Sequence, residues 1–146
     1  MADAMTYAIR TAHPCERIEI AGLTGSVCNF YGNVAAAALT THQTMLDRVQ
    51  KLTVMTGEKY AQLPDFPEYR ELLKTPYADI NNAPAGSAGG ILAGFFLASF
   101  SEDVPFLHLD LGAMPFTNSP APGQTAGGTG FGVKTLYYYL KDKCSA

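Results

Sequence analysis

The feature that most constrains the fold is a short apolar segment with two polar side chains, followed by a glycine-rich stretch. The apolar segment is Phe106-Leu-His-Leu-Asp-Leu-Gly-Ala-Met-Pro115, and the glycine-rich stretch is Gly127-Gly-Thr-Gly-Phe-Gly-Val-Lys134. Residues 104–111 predict a buried strand, because their apolar run is short and is bounded by turn residues. Residues 133–141 predict a terminal helix. The two segments therefore indicate a strand, a long loop over residues 115–130 and a helix, in that order.

The rest of the chain alternates between strand and helix patterns. The other predicted elements are, in chain order, a short helix around Met5 to Ile9 that ends before Pro14, a strand at Arg17 to Gly22, a helix from Thr41 to Gly57, a helical turn at Tyr69 to Leu73, a loop at Asp79 to Gly90 and a buried helix at Ile91 to Phe100. Val34 to Leu39 is ambiguous, because alanine favours a helix whereas the short length allows a buried strand. The pattern predicts the α/β class: one layered domain over residues 1–146, with a mixed, partly parallel sheet flanked by helices.

Composition excludes several function classes. The net charge is −3 and the basic residues are scattered, so the sequence predicts no nucleic-acid partner. No apolar run is long enough to span a membrane, and no signal peptide is recognisable. Three widely spaced cysteines, Cys15, Cys28 and Cys144, are typical of reduced thiols and not of a disulfide framework. We therefore expect a cytoplasmic protein with no membrane partner.

Two polar side chains of the buried strand are candidates for chemistry. His108 and Asp110 are two residues apart, so both side chains lie on one face of a strand. A His-x-Asp pair can bind a metal, but it supplies only two ligands and no neighbouring residue completes a set. The alternative is a buried His–Asp pair whose polar atoms are satisfied by the backbone and by neighbouring groups, and the sequence favours that alternative.

The glycine-rich stretch and the possible nucleophiles are weaker candidates. Gly128-x-Gly130-x-Gly132 precedes a helix and can expose N–H groups to a phosphate, but it lacks the spacing of a phosphate-binding loop. A turn packed tightly against the sheet is the favoured interpretation. Ser87 lies in Gly86-Ser-Ala-Gly89, which lacks the spacing of a nucleophile elbow. The sequence therefore predicts no catalytic nucleophile.

Leu23, Thr24 and Gly25 are the best candidates for a binding site. They follow the first predicted strand, at the carboxyl end where open α/β sheets bind their ligands. A glycine at that point allows a backbone to approach a ligand closely. Without further information an ordinary turn is the alternative.

Several motifs in a fixed order resemble the leucine aminopeptidase (cytosol aminopeptidase) family. They are Ala2-Asp-Ala-Met-Thr-Tyr-Ala8, Ile18-Glu-Ile-Ala-Gly-Leu-Thr-Gly25, Ala83-Pro-Ala-Gly86 and the two segments described first. The resemblance covers almost the whole chain and favours a strand at Val34 to Leu39. It implies that Leu23, Thr24 and Gly25 offer backbone hydrogen bonds to a bound peptide. It also implies that Gly112, Ala113 and Met114 form a wall of the pocket for the N-terminal side chain.

The resemblance further implies a metal-dependent aminopeptidase that releases N-terminal residues from peptides. Members use two divalent metals, zinc or manganese, to activate a bridging water. Their ligands, together with a catalytic Lys and Arg, lie upstream of the helix that starts here at Ala2, and Asp3, Asp79 and Asp110 occupy non-ligand positions. We therefore expect a truncated C-terminal portion of a catalytic domain that binds no catalytic metal and is inactive alone. The alternative is a non-catalytic remnant that acts as a binding or assembly module.

Assembly is a further expectation. Charged residues are 16% of the chain, against about 25% in an average domain. A weakly charged surface is typical of a protein that contacts a partner, although a core rich in alanine and glycine explains the same value. Family members are homohexamers built on threefold contacts, so the resemblance implies a homo-oligomer, a trimer or a hexamer.

Overall fold

A computed structural model describes residues 1–123 and 125–144 of the chain. Its main sheet has four strands, β1 (Arg17–Ala21), β2 (Ala36–Thr40), β3 (Tyr60–Gln62) and β4 (Phe106–Asp110). A separate pair, β5 (Phe116–Thr117) and β6 (Gly127–Gly128), is antiparallel. The helices are α1 (Ala2–Ala12), α2 (Gly25–Tyr31), α3 (Gln43–Thr56), α4 (Pro67–Glu71), α5 (Gly89–Ala98) and α6 (Val133–Cys144).

Strand β4 is central to the sheet, whose order is β1-β4-β2-β3. It pairs in parallel with β1 and antiparallel with β2, and β2 pairs in parallel with β3. The carboxyl ends of β1 and β4 therefore meet the beginnings of β2 and β3 at one edge, which we call the loop edge. The predicted α/β fold with a mixed, partly parallel sheet is confirmed.

All five residues of β4 are buried, because helices cover both faces of the sheet. Phe106 faces a core that includes α5, whereas Leu107 and Leu109 face a second core that includes α3 and α6. His108 points to the same face as Phe106, since its ring lies close to Gly94 of α5. The apolar run of this strand thus reflects burial on two sides.

Helix α5 is buried, as its uniformly apolar sequence predicts. Leu92, Phe95 and Leu97 are at most 4% exposed. A Cβ added at Gly94 would lie 3.0 Å from Leu39 Cδ1, so the glycine lets the helix approach β2 closely. The observed helix begins two residues before the predicted start and ends at Ala98, with Phe100 in the following turn.

Several elements differ from the sequence predictions. Helix α2 begins at Gly25, within a stretch that the sequence predicted only as a turn. Strand β3 is a three-residue edge strand that carries no clear alternation, and β5 and β6 lie inside the predicted loop. Thr41 was predicted as the cap of helix α3, but the cap is His42 and the helix begins at Gln43, because the Thr41 hydroxyl accepts a hydrogen bond from the Phe106 N–H.

The prediction of a single domain over residues 1–146 stays a prediction. Its range includes Gln124, Ser145 and Ala146, which lie outside the described residues, and Gln124 also falls in the predicted loop over residues 115–130. Among the described helices, none combines the length and the apolar character needed to cross a bilayer.

Candidate functional site

Asp110 holds the two predicted binding segments together at the loop edge. It is the last residue of β4 and its side chain is fully buried. Its Oδ1 accepts hydrogen bonds from the Leu23 N–H at 3.1 Å and from the Gly112 N–H at 3.0 Å. Its Oδ2 accepts the N–H and the hydroxyl of Thr24, both at 3.2 Å. A single carboxylate thus fixes the loop after β1 and the loop after β4 relative to each other.

This network determines which backbone groups remain for a ligand. The N–H groups of Leu23 and Thr24 are used inside the protein. The Leu23 carbonyl and the Gly25 N–H have no hydrogen bond to any other described residue. Gly25 is exposed, and a Cβ built there would meet nothing within 4 Å. One acceptor and one donor, two residues apart, are therefore left without a partner among the described residues, and an extended peptide backbone can pair with groups in this pattern.

Gly112 is required by its conformation and by its surroundings. Its φ of +52° lies in the left-handed region, and an added Cβ would stand 2.9 Å from Val27 Cγ1. Gly22 lies directly beside it, since a Cβ at Gly22 would be 3.6 Å from the Gly112 carbonyl oxygen. Gly22 and Gly112 therefore lie close together at the loop edge, and only Gly112 is sterically constrained.

Ala113 and Met114 line a cleft of about 480 Å³ next to this network. The Met114 carbonyl accepts a hydrogen bond from the Thr129 hydroxyl at 2.6 Å, and the Pro115 carbonyl accepts the Thr129 N–H at 2.9 Å. Pairing of Phe116 with Gly128 continues this contact. The loop is thus folded back on itself and forms a defined wall of the cleft.

Glu58 is a buried carboxylate that lines the same cleft. Its Oε2 accepts the Thr135 N–H at 2.9 Å and the Thr135 hydroxyl at 2.5 Å. These bonds connect the segment before β3 to the first turn of α6, where a negative charge is favourable. The exposed Lys134 also lines the cleft, so both signs of charge are available there.

The start of α5 reaches the loop edge from the other side. A Cβ at Gly90 would lie 2.9 Å from Val27 Cγ2 and 3.4 Å from the Thr24 hydroxyl oxygen. Ala88 has a φ of +68°, so the backbone turns sharply just before the helix. The loop that contains Ala83-Pro-Ala-Gly86 therefore leads directly to the predicted site.

His108 and Asp110 do not form a metal site with each other. His108 Nδ1 contacts Glu19 Oε2 inside the protein, and Asp110 is engaged by backbone N–H groups. Within residues 1–123 and 125–144, no three His, Cys, Asp or Glu side chains are grouped closely enough to hold a metal ion. Both residues are buried, as the favoured interpretation predicted, but their polar atoms are not all satisfied, because His108 Nε2 has no hydrogen-bond partner among the described residues.

The glycine-rich stretch forms a tight turn against the sheet. Gly132 has a φ of +94°, and an added Cβ would stand 2.7 Å from Ile20 Cδ1 of β1. Gly130 also has a positive φ, of +68°. The predicted close contact between this turn and the sheet is confirmed.

The sequence predicts the two segments as a binding site, which stays a prediction, but it does not reveal the side chains that connect them. Asp110 was considered only as a ligand or as a member of a buried pair, although an aspartate that ends a strand before a glycine is a common turn former. Glu58 gave no signal, because its partner Thr135 is 77 residues away in the chain. Helix α2 was missed because Gly25 is an unusual first residue for a helix.

The protein is a layered α/β domain, with a mixed sheet covered by helices on both faces and the predicted binding segments at its loop edge. The sequence profile of the cytosol aminopeptidase family, catalytic domain, matches residues 1–137. The chain belongs to this family.

Curated relatives and solved structures agree with this assignment. A probable cytosol aminopeptidase of Clostridium tetani is 36% identical over 141 residues, and one of Roseiflexus castenholzii is 37% identical over 143 residues. Each match covers 97% of this chain but only 29% of the relative. The bottromycin maturation enzyme BotP superimposes with a TM-score of 0.90 and 28% identity, over 99% of this chain and 32% of BotP. BotP in complex with Mn gives a TM-score of 0.88 over 97% of this chain and 32% of BotP. This chain thus spans about three-tenths of the length of these proteins.

Proposed function

We propose that this chain forms the peptide-binding side of a metal-dependent aminopeptidase that removes N-terminal residues from peptides. The observation that carries the proposal is the arrangement of Leu23, Thr24 and Gly25 against Asp110, which leaves one backbone acceptor and one backbone donor open at the loop edge. Membership of the cytosol aminopeptidase family supplies the class of reaction.

The geometry suggests how a peptide binds. A backbone N–H of the substrate donates to the Leu23 carbonyl, and a substrate carbonyl accepts the Gly25 N–H. The N-terminal side chain enters the space beside Gly112, Ala113 and Met114. Because Asp110 fixes both loops before the ligand arrives, little conformational entropy is lost on binding. The assignment of Leu23 to Gly25 and of Gly112 to Met114 to substrate binding stays a prediction, which a titration with a short peptide tests.

The two divalent cations of the family, zinc or manganese, do not fit the side chains described here. A two-metal site needs several hard ligands that converge on one point, and residues 1–123 and 125–144 offer no such group. We infer that this polypeptide by itself holds no catalytic metal pair and does not hydrolyse peptides. The cations would be bound by residues other than those described, so no chemical step is assigned to the side chains of this chain.

Metal content and activity test this inference together. The purified protein is dialysed after exposure to zinc or manganese, analysed for metal and assayed for release of p-nitroaniline from leucine p-nitroanilide. We expect well under one equivalent of metal per chain and no release above the buffer rate. The whole Clostridium tetani relative serves as the positive control. Tight stoichiometric metal, with or without turnover, would contradict the inference.

We further propose a homo-oligomer, a trimer or a hexamer, located in the cytosol. Large apolar side chains that are strongly exposed support it, among them Phe30 at 78% and Tyr77 at 93%. The three cysteines are all free thiols, which fits a reducing compartment. Light scattering after size exclusion is expected to give a defined multiple of 15.6 kDa. A monomer at micromolar concentration would contradict the assembly.

A further inference from the structure

A second cavity lies at the sheet edge opposite the loop edge, where β1 and β4 begin and β2 ends. It has a volume of about 200 Å³. Its wall includes Glu16, His42, Thr44, Met45, Arg48 and Tyr139. None of them belongs to the proposed peptide-binding segments.

The first turn of α3 lines this cavity. Helix α3 has 14 residues, and its N-cap residue His42 makes no side-chain hydrogen bond to the first turn. Thr44 and Met45, from that turn, both line the cavity. The N-terminus of a helix carries a partial positive charge and unpaired N–H groups, so it favours an anion.

Tyr139 supplies an independent observation that points to a ligand. Its side chain is fully buried, yet its hydroxyl makes no hydrogen bond to any described residue. A buried hydroxyl without a partner is energetically costly and is rare in native proteins. Burial, followed by the nearby Glu16 carboxylate, raises the pKa of Tyr139 to about 12. The group therefore keeps its proton at neutral pH and can act as a donor.

Arg48 adds a positive charge to the same cavity. Its guanidinium carbon lies 5.1 Å from the centroid of the Tyr139 ring, and it forms no ion pair with any described carboxylate. The one carboxylate in the wall is that of Glu16, which contacts Lys143 Nζ. Lys143 offsets the charge of Glu16, although this carboxylate still acts on the Tyr139 hydroxyl, whose pKa it helps to raise.

We propose that this cavity binds a small oxyanion, either a phosphate ion or the carboxylate of a small acid. Arg48 and the Tyr139 hydroxyl donate hydrogen bonds to it, and the first turn of α3 adds the Thr44 N–H and the helix dipole, since the Met45 N–H already donates to the His42 carbonyl at 3.0 Å. Arg48 gives the charge-assisted contact, which is the stronger of the two side-chain contacts. The site is independent of peptide binding at the loop edge.

Amide-detected NMR titrations of the 146-residue protein test the proposal. The probes are inorganic phosphate and sodium acetate, with sodium chloride of equal ionic strength as the reference. We expect saturable shifts at the Thr44 and Met45 amides with at least one of the two probes, and the probe that saturates identifies the source of the oxyanion. Failure of both probes to shift these amides beyond the chloride reference would overturn the proposal.

Three variants make the test specific. Arg48→Gln should weaken binding about 10- to 100-fold, and Tyr139→Phe about 3- to 10-fold. Lys51→Gln is the matched control, because it removes one positive charge from an exposed position of the same helix. Binding to the control should equal that of the unmodified protein. Equal weakening in Lys51→Gln and Arg48→Gln would reveal a nonspecific charge effect and would overturn the proposal.

Tyr139→Phe also keeps the test decisive if Arg48→Gln fails to fold. Since the hydroxyl has no partner in the free protein, its removal should leave the thermal midpoint without ligand unchanged or higher. The rise of that midpoint on adding the saturating probe should be smaller than in the unmodified protein. An unchanged rise in Tyr139→Phe would exclude the hydroxyl as a ligand contact and would contradict the proposed site, even if Arg48→Gln does not fold.

Discussion

Asp110 is the residue on which the geometry of the loop edge depends most. Four hydrogen bonds from two loops converge on its buried carboxylate. Both oxygens act only as acceptors, and every partner is a donor. The arrangement explains why a carboxylate ends this strand, since an amide or a hydroxyl could not accept at both sides.

Replacing this carboxylate should therefore loosen both loops. We expect Asp110→Asn to lower the free energy of unfolding by about 2–3 kcal/mol, because the amide NH₂ faces backbone donors and the charge-assisted bonds are lost. Denaturant unfolding followed by circular dichroism measures the change. Asp79→Asn is the matched control at an exposed position and should have almost no effect. If the two variants are equally stable, the network does not hold the loops.

Gly112 and Gly25 allow a second comparison at the same edge. Gly112→Ala should destabilise the protein by about 1–3 kcal/mol, because its φ is positive and the new methyl group would collide with Val27. Gly25→Ala should be close to neutral, since its conformation is ordinary and the space around it is open. Thermal unfolding of both variants checks the order, and a reversed order would show that the loop adopts another conformation.

Among the elements, those with a strong periodic or apolar pattern were predictable from the sequence. Helix α5 and strand β4 were identified because burial on all sides leaves a continuous apolar run. Strand β3 was not, because three residues at a sheet edge carry too little pattern. The hydrogen bonds of Glu58 to Thr135 could not be predicted either, because contacts between distant segments leave no local pattern in the sequence.

The burial of α5 gives a test at the scale of one element. Leu97 is 2% exposed, and Leu97→Asp should abolish cooperative unfolding at room temperature, because an unpaired buried charge costs several kcal/mol. Val54→Asp places the same change on α3 at a side chain that is 96% exposed, and it should fold normally. A Leu97→Asp protein that melts within a few degrees of the unmodified chain would refute the described position of this helix. Loss of the whole transition would also support a single cooperative domain.

At the scale of the whole molecule, two buried tyrosines should make stability fall in alkali. Burial raises the pKa of both Tyr60 and Tyr139 to about 12, from about 10 in an unfolded chain. The folded state thus favours the protonated phenol. The stabilisation is complete below the unfolded pKa and is lost as the pH rises through the folded pKa.

Unfolding experiments at a series of alkaline pH values test this expectation. The free energy of unfolding should decrease with pH between about 10 and 12. The double variant Tyr60→Phe/Tyr139→Phe should show a weaker decrease, whereas Tyr7→Phe, at an exposed position, should behave like the unmodified protein. An equal slope in all three proteins would mean that these phenols are not the buried groups responsible.

We propose that the loop edge of this cytosol aminopeptidase family member is a preformed peptide-binding surface. An amide-detected NMR titration with the peptide Leu-Gly-Gly tests it most directly, with Asp110→Asn measured in parallel. We predict saturable shifts at the amides of Gly25, Ala113 and Met114 in the unmodified protein, and their loss in the variant while its remaining spectrum stays folded. Shifts confined to other surfaces, or none at these three amides, would contradict the account.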